Sequence, residues 1–232
     1  MRNNNYKELE KILGYKFKDL SHLDTAFTHK SYANECREDI ISYERYEFLG
    51  DAILEFVVSK ELFNQYPEKT EGELTKLRAS LVCEYTLSQI TKEFGFGDYL
   101  YLSHGEELTG GMNRPSILCD LFESVLGAIF LDGGLEEAEK YIKKFLLTDI
   151  EHKSIFYDAK TILQEYVQGE GGKLEYKLIS SKGPEHNRVY TVVAYINGER
   201  YEEGAGQTKK MAEQVAAHKT IIKLNFDDSV GL

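Results

Sequence analysis

Tyr43-Glu-Arg-Tyr-Glu-Phe-Leu-Gly-Asp51 and Ile117-Leu-Cys-Asp-Leu-Phe-Glu123 put carboxylates into segments otherwise suited to a core. At about 100° per residue, Glu44, Glu47 and Asp51 fall within about 60° of one another on a helix, and Asp120 and Glu123 lie one turn apart. Each set makes a stripe. A single helical Glu usually faces water and carries no functional meaning. The ensemble reads differently, because Asp120 and Glu123 are the only charged residues between Ile117 and Leu131. A helix so apolar has no broad solvated face, and unpaired carboxylates in a core are costly. The stripes therefore read as two walls of a metal site. All-oxygen donors favour a hard cation, Mg2+ or Mn2+ in its place, over zinc. The implied chemistry is phosphodiester hydrolysis by a water activated at the metal.

The chain has 232 residues, 42% of them hydrophobic and 29% charged, which is ordinary globular composition with room for one large or two small domains. The first residues, Met1-Arg-Asn-Asn-Asn-Tyr-Lys-Glu8, hold no apolar run of a signal peptide, and no later stretch reads as a membrane span. The expectation is a cytoplasmic protein with no membrane partner and no small-molecule cofactor. Cys36, Cys83 and Cys119 are scattered and lack metal-ligand spacing, which suits a reducing compartment. Cys119, beside Asp120, reads as small core filler.

The net charge of −11 argues at first against a polyanionic partner. Its distribution softens that objection. Residues 1–150 carry 17 basic and 27 acidic side chains, a net of −10, whereas residues 151–232 carry 11 and 12, a net of −1. The excess acid lies where the metal site is expected, and bound cations would offset part of it.

Residues 1–150 read as successive helices: Tyr6 to Leu13, Leu20 to Thr28, Tyr43 to Tyr66, one opened by the capping box Thr70-Glu-Gly-Glu73, then Tyr85 to Phe94, Ser116 to Leu131 and Leu135 to Leu147. Glu73 closes the box, which leaves Glu71 free for another role. Residues 151–157 read as a linker. From Asp158, expected to cap a helix running to Gln168, the pattern changes to three alternating strands and a last helix from Thr208 to Leu224. Asn197-Gly198 is a two-residue hairpin signal. The second domain, residues 158–227, is thus α-β-β-β-α, and the chain as a whole is multidomain, an all-α part followed by a small α+β part.

Lys209 and Lys210 fall in the first turn of that last helix, where cations oppose the macrodipole. Two solvated lysines would be the default explanation. With the Thr208 hydroxyl and free backbone N–H groups they also make a phosphate clamp. The α-β-β-β-α order favours the clamp, because the segment resembles a double-stranded RNA-binding domain. By that resemblance Gln164, Glu165 and Gln168 are first-helix contacts to RNA, and Gly183-Pro184-Glu185-His186 is the loop that enters a minor groove, with Pro184 and His186 at the RNA. Such domains read duplex shape rather than sequence.

Glu44-Arg-Tyr-Glu-Phe-Leu-Gly-Asp51 resembles the signature of the ribonuclease III family, bacterial type. The likeness continues through Thr28-His-Lys-Ser-Tyr-Ala-Asn34, Glu71-Gly72 and Arg114 to Gly134, and then into the RNA-binding segment. It implies an all-α endonuclease domain over residues 1–150, with Asp51 and Glu123 catalytic and holding Mg2+, helped by Glu47 and Asp120. Glu44 and Glu71 would lie toward an RNA-facing rim. The resemblance further implies a homodimer with Phe48 as an interface knob, whose two sites cut opposite strands of double-stranded RNA. The products would carry 5′-phosphate and 3′-hydroxyl ends with short 3′ overhangs, and ribosomal RNA precursors would be among the substrates. Tyr46, Met112-Asn113 and Cys119 depart from that family's usual residues, and none replaces a carboxylate. Glu55 reads as solvated and His29 as a hydrogen-bonded structural histidine. Two rivals remain at this stage: a duplex-binding protein without catalysis, and a helical phosphohydrolase for small phosphorylated substrates, in which the lysine pair has no place.

Overall fold

The computed structural model describes residues 6–36, 40–183 and 188–224. It divides into two compact units, Met1–Ile150 and Glu151–Leu232.

The first unit is helical: α1 (Tyr6–Leu13), α2 (Leu20–Ala26), α3 (Lys30–Glu35), α4 (Glu44–Gln65), α5 (Glu71–Leu81), α6 (Glu84–Glu93), α7 (His104–Leu108), α8 (Pro115–Gly133) and α9 (Leu135–Phe145), with short 3-10 turns at Phe96–Tyr99 and Gly111–Asn113. At the start of α5, Thr70 and Glu73 form the expected capping box. The second helix ends earlier than its sequence pattern suggests. Thr28 instead forms a parallel bridge with Tyr101, and His29 caps α3 by accepting the Ser31 N–H on Nδ1.

Helix α8 is the axle of this unit. Residues from Ile117 to Ile129 on it are buried apart from Cys119, Asp120 and Glu123, and it packs mainly against α4, with α6, α2 and α9 around it. Two glycines set how closely α4 and α8 approach. A Cβ built at Gly50 would stand 1.8 Å from the Glu123 carbonyl oxygen, and one at Gly127 would stand 2.3 Å from the Tyr46 carbonyl oxygen. Each helix thus presents a glycine to the other's backbone. A helical glycine costs about 1 kcal/mol relative to alanine, and close packing is the compensating reason for it here. The far end of α8 is also fixed: the Asp132 carboxylate accepts the Tyr15 hydroxyl and the backbone N–H groups of Lys18 (3.0 Å) and Asp19 (2.9 Å).

In the second unit, α10 (Ile150–Gly169) precedes an antiparallel sheet of β1 (Leu174–Lys182), β2 (Val189–Ile196) and β3 (Glu199–Gly206), and α11 (Lys209–Lys223) follows. The α-β-β-β-α order is as expected. The start of α10 is not: residues 151–157, expected as a linker, are helical, and Asp158 lies inside the helix instead of capping it. The reason is that Ile155, Phe156, Ala159, Leu163 and Val167 continue one apolar face across that boundary. Asn197 and Gly198 make the hairpin turn with φ of 53° and 83°, and the Asn197 Oδ1 accepts the Lys173 N–H at 2.8 Å. A bulge between Leu178 and Ser180 interrupts the alternation of β1.

The crossing predicts that Gly50→Ala destabilises the first unit by about 1–3 kcal/mol or more through overpacking. Gly72, with nothing within 4 Å of an added Cβ, is the control. Thermal unfolding followed by circular dichroism should show a lowered Tm for Gly50→Ala and an unchanged or slightly raised one for Gly72→Ala.

Candidate functional site

Because Gly50 seats on the Glu123 backbone, the acidic stripe of α4 and that of α8 come out at one place. Glu44 and Glu47 occupy the first turn of α4, where negative charge complements the helix dipole, so an acid is locally favourable at both positions. Glu44 is exposed, with Lys30 Nζ at 3.4 Å from its Oε1 and the Ser42 hydroxyl donating to its Oε2 at 3.3 Å. Asp51 is exposed at the same stripe, whereas Glu47, Asp120 and Glu123 are half-buried.

The electrostatics tie these groups into one cluster. Glu123 is pushed up to about 8, first by burial and then by the charges of Asp51, Asp120 and Glu47. Glu47 is pushed up to about 7, again by burial and then by Asp120, Glu44 and Asp51, with Lys30 opposing. Asp120 is raised mainly by burial, against the Tyr43 hydroxyl, which donates to its Oδ2 at 3.3 Å. Burial, Glu123 and Asp120 also raise the neighbouring Cys119 thiol, whose sulfur lies 3.9 Å from Glu123 Oε1. That keeps it a neutral thiol, as a filler residue should be.

Among the described residues, no three or more His, Cys, Asp or Glu side chains are gathered closely enough to hold a metal ion as they stand. The donor chemistry nevertheless fits a hard divalent cation: Glu47, Asp51, Asp120 and Glu123 offer only carboxylate oxygens, and burial raises each of the half-buried three, which favours a positive charge beside them.

Other expected residues fall outside this cluster. Glu71 is exposed at the start of α5 and accepts the Thr75 hydroxyl at 3.1 Å. Glu55, expected to be solvated, is half-buried and pairs with Arg78 Nε at 2.8 Å. That partner is 23 positions away and brought near by α5, beyond the reach of helix spacing. Phe48 is 79% exposed and so is not part of the core of its own chain. Phe56 and Phe63 on the same helix are also exposed. Tyr43, Lys30 and Glu84, which acts on Asp120, were not singled out from sequence because each meets the cluster only through tertiary packing.

In the second unit, Gly204 lets β3 lie directly on α11: its Cβ would stand 2.2 Å from the Ala212 carbonyl oxygen. This seats the N-terminus of α11, where Lys209 and Lys210 are exposed and form no ion pair with a described residue. Thr208 caps the helix, its Oγ1 accepting the Met211 N–H at 3.1 Å, which leaves the hydroxyl proton free to donate. On α10, Glu165 and Gln168 are exposed and Gln164 is half-buried, while Leu163 and Val167 face the core. Pro184 and His186, expected in a groove-entering loop, lie outside the described residues.

A family model described as ribonuclease-III-like matches residues 19–150, and one described as a double-stranded RNA binding motif matches residues 159–224. Among curated relatives, the Ribonuclease 3 of Bacillus velezensis is 43% identical over 223 residues, covering 94% of this chain and 90% of the relative. That of Anoxybacillus flavithermus is 44% identical, covering 94% of each, and that of Listeria monocytogenes is 42% identical, covering 95% and 98%. The solved nuclease domain of Campylobacter jejuni ribonuclease III is 41% identical with a TM-score of 0.57, covering 61% of this chain and 95% of that domain. With matched models over both units and relatives at 42–44% identity along nearly its whole length, the chain belongs to the ribonuclease III family of endoribonucleases acting on double-stranded RNA.

Proposed function

We propose that this is a Mg2+-dependent, homodimeric, cytoplasmic endoribonuclease that hydrolyses phosphodiester bonds in double-stranded RNA. Its products carry 5′-phosphate and 3′-hydroxyl ends with short 3′ overhangs, and ribosomal RNA precursors and other structured transcripts are its substrates. The observation that carries this reading is the cluster of half-buried carboxylates on two helices locked together by Gly50 and Gly127, in a chain that also holds an exposed lysine pair at a helix N-terminus.

Asp51 and Glu123, with Glu47 and Asp120, are the residues that would hold the cation. A divalent cation there supplies Lewis acidity to the scissile phosphate and acidifies the attacking water. The carboxylates themselves concentrate negative charge where that cation is needed, and the low polarity around Glu123 strengthens the attraction. Glu44 and Glu71, both exposed, serve as acceptors for ribose hydroxyls at the rim. Lys209, Lys210 and Thr208 hold backbone phosphates, and Gln164, Glu165, Gln168, Pro184 and His186 meet the sugar edges of the minor groove.

The dimer is supported by Phe48, a large aromatic left in solvent beside Glu47. The Campylobacter jejuni nuclease domain has a region involved in dimer formation. Exposed apolar surface of this kind is normally covered by a partner, and a two-fold partner offers the same patch in return.

Glu123→Gln is expected to abolish cleavage in Mg2+, read by gel analysis of a perfect RNA duplex, while duplex binding stays within about 2-fold of the parent. Turnover near the parent's would remove Glu123 from the site. The same substitution has a pH signature. Glu123 releases its proton at about 8 in the folded chain against an ordinary 4.5, so folding loses stability as pH rises through that interval and keeps the full loss above it. Without divalent cation at pH 8–9, Glu123→Gln should therefore raise Tm by about 2–4 °C per ~1 kcal/mol relieved, and near pH 4 the two Tm values should converge.

Lys209→Ala with Lys210→Ala should weaken binding to all duplexes alike. The slope of log affinity against log salt should fall by roughly one unit per lost phosphate contact, measured by titration at several salt concentrations. Loss confined to one sequence would mean that these side chains read bases.

Phe48→Asp should give a folded monomer by light scattering and lose coordinated double-strand cutting, leaving slow nicking at most. A folded dimer would exclude Phe48 from the interface.

A further inference from the structure

Tyr43 is only 1% exposed and ranks among the largest fully buried side chains, yet it is a tyrosine where a phenylalanine would fill the same space. It is the residue just before α4, and its side chain makes no cap hydrogen bond there. Instead the hydroxyl reaches across to α8 and donates to Asp120 Oδ2 at 3.3 Å. A phenol is an O–H donor throughout the neutral range, and one buried without an acceptor would cost about 1–3 kcal/mol.

The rest of Tyr43 is fixed on every side. Its N–H donates to the Thr28 carbonyl at 2.9 Å, and its own carbonyl accepts the N–H groups of Tyr46 (2.8 Å) and Glu47 (2.9 Å). Its ring meets His29 edge-on, with centroids 5.6 Å apart, and His29 is itself held as the cap of α3 by Ser31. The backbone bonds fix where the side chain starts, and turning the ring away from Asp120 would lose its edge contact with His29 and its place in the core. One residue therefore links the first turn of α4, with Glu44 and Glu47, to a carboxylate on α8.

We propose that Tyr43 is a positioning residue for the cation site: its hydroxyl holds Oδ2 of Asp120 and so fixes the orientation in which that carboxylate meets a divalent cation. The inference rests on the metal-dependent reading of the carboxylate cluster. Without the hydroxyl, Asp120 must be ordered by the cation itself, and loss of a hydrogen bond that orients a ligand typically costs about 10- to 100-fold in metal affinity.

Tyr43→Phe tests this, since it keeps the ring and its packing. Mn2+ binding to the full chain, measured by calorimetry without RNA, should weaken about 10-fold, and the Mg2+ concentration giving half-maximal cleavage should rise by a similar factor. Cleavage at saturating Mg2+ should return to near the parent rate, and duplex binding without metal should be unchanged. Unchanged Mn2+ affinity overturns the proposal, whether activity is unaltered or is lowered together with Tm at every Mg2+ concentration, the latter marking a merely structural role. If the parent itself binds no Mn2+ and cuts no duplex in Mg2+, the reading of the carboxylates fails and this inference falls with it. A parent active in Mg2+ beside an indistinguishable Tyr43→Phe overturns the inference alone.

Discussion

The backbone contact between α4 and α8 is the constraint from which the first unit follows. Gly50 leaves room for the carbonyl of Glu123, and Gly127 leaves room for the carbonyl of Tyr46. The contact is reciprocal, and both carbonyls belong to the acidic segments or their neighbours. Side chains facing each other across ordinary helix packing sit about 8–10 Å axis to axis, and glycines allow less. Carboxylates of modest reach can then act on one another from separate helices. The burial that raises Glu123 and Glu47 is the other face of this closeness: packing brings the acids together, and electrostatics resists it. A site of this kind stores a demand for positive charge.

The second unit uses the same steric device for another purpose. Gly204 and Gly206 remove the side chains that would keep β3 off α11; a Cβ at Gly206 would stand 2.7 Å from Met211 Cγ. The start of α11 is thereby seated on a sheet edge, and its lysines project from a fixed base. Lysine at a helix N-terminus opposes the dipole by a few tenths of a kcal/mol to about 1 kcal/mol, a small cost against the packing of Ala212, Val215 and Ala216. Charge, in both units, stands where stability alone would not put it, on a backbone that close packing has already fixed.

Much of this was legible in the sequence, and the limits have physical causes. The long helices α4 and α8, the Thr70–Glu73 box and the Asn197–Gly198 turn are signalled by residues within one or two turns of each other, the range over which periodicity and capping operate. The two acidic stripes belong to that range too. Helices α3 and α7, with 6 and 5 residues, are too short to show a period. Helix α10 starts just after Thr148-Asp149, which are capping residue types as good as Asp158, and local spacing alone does not choose between the two boundaries. Gly50 and Gly127 read in isolation as costs to their helices. Their use appears only when the opposing carbonyl, 73 and 81 positions away respectively, is in place. The pairings of Tyr43 with Asp120 and of Glu55 with Arg78 are hidden for the same reason.

The anchoring of Asp132 has a further consequence. Its carboxylate grips the chain from Tyr15 to Asp19 at one end of α8, while the Gly50 and Gly127 contacts hold the middle of that helix, at Glu123 and Gly127, against α4. Sliding α8 by a single turn, about 5.4 Å, would break all three attachments at once. A shifted register of the helix is therefore costly, and the carboxylates it carries are held at one register. Amide hydrogens in the buried middle of α8 are therefore expected among the slowest to exchange in the first unit.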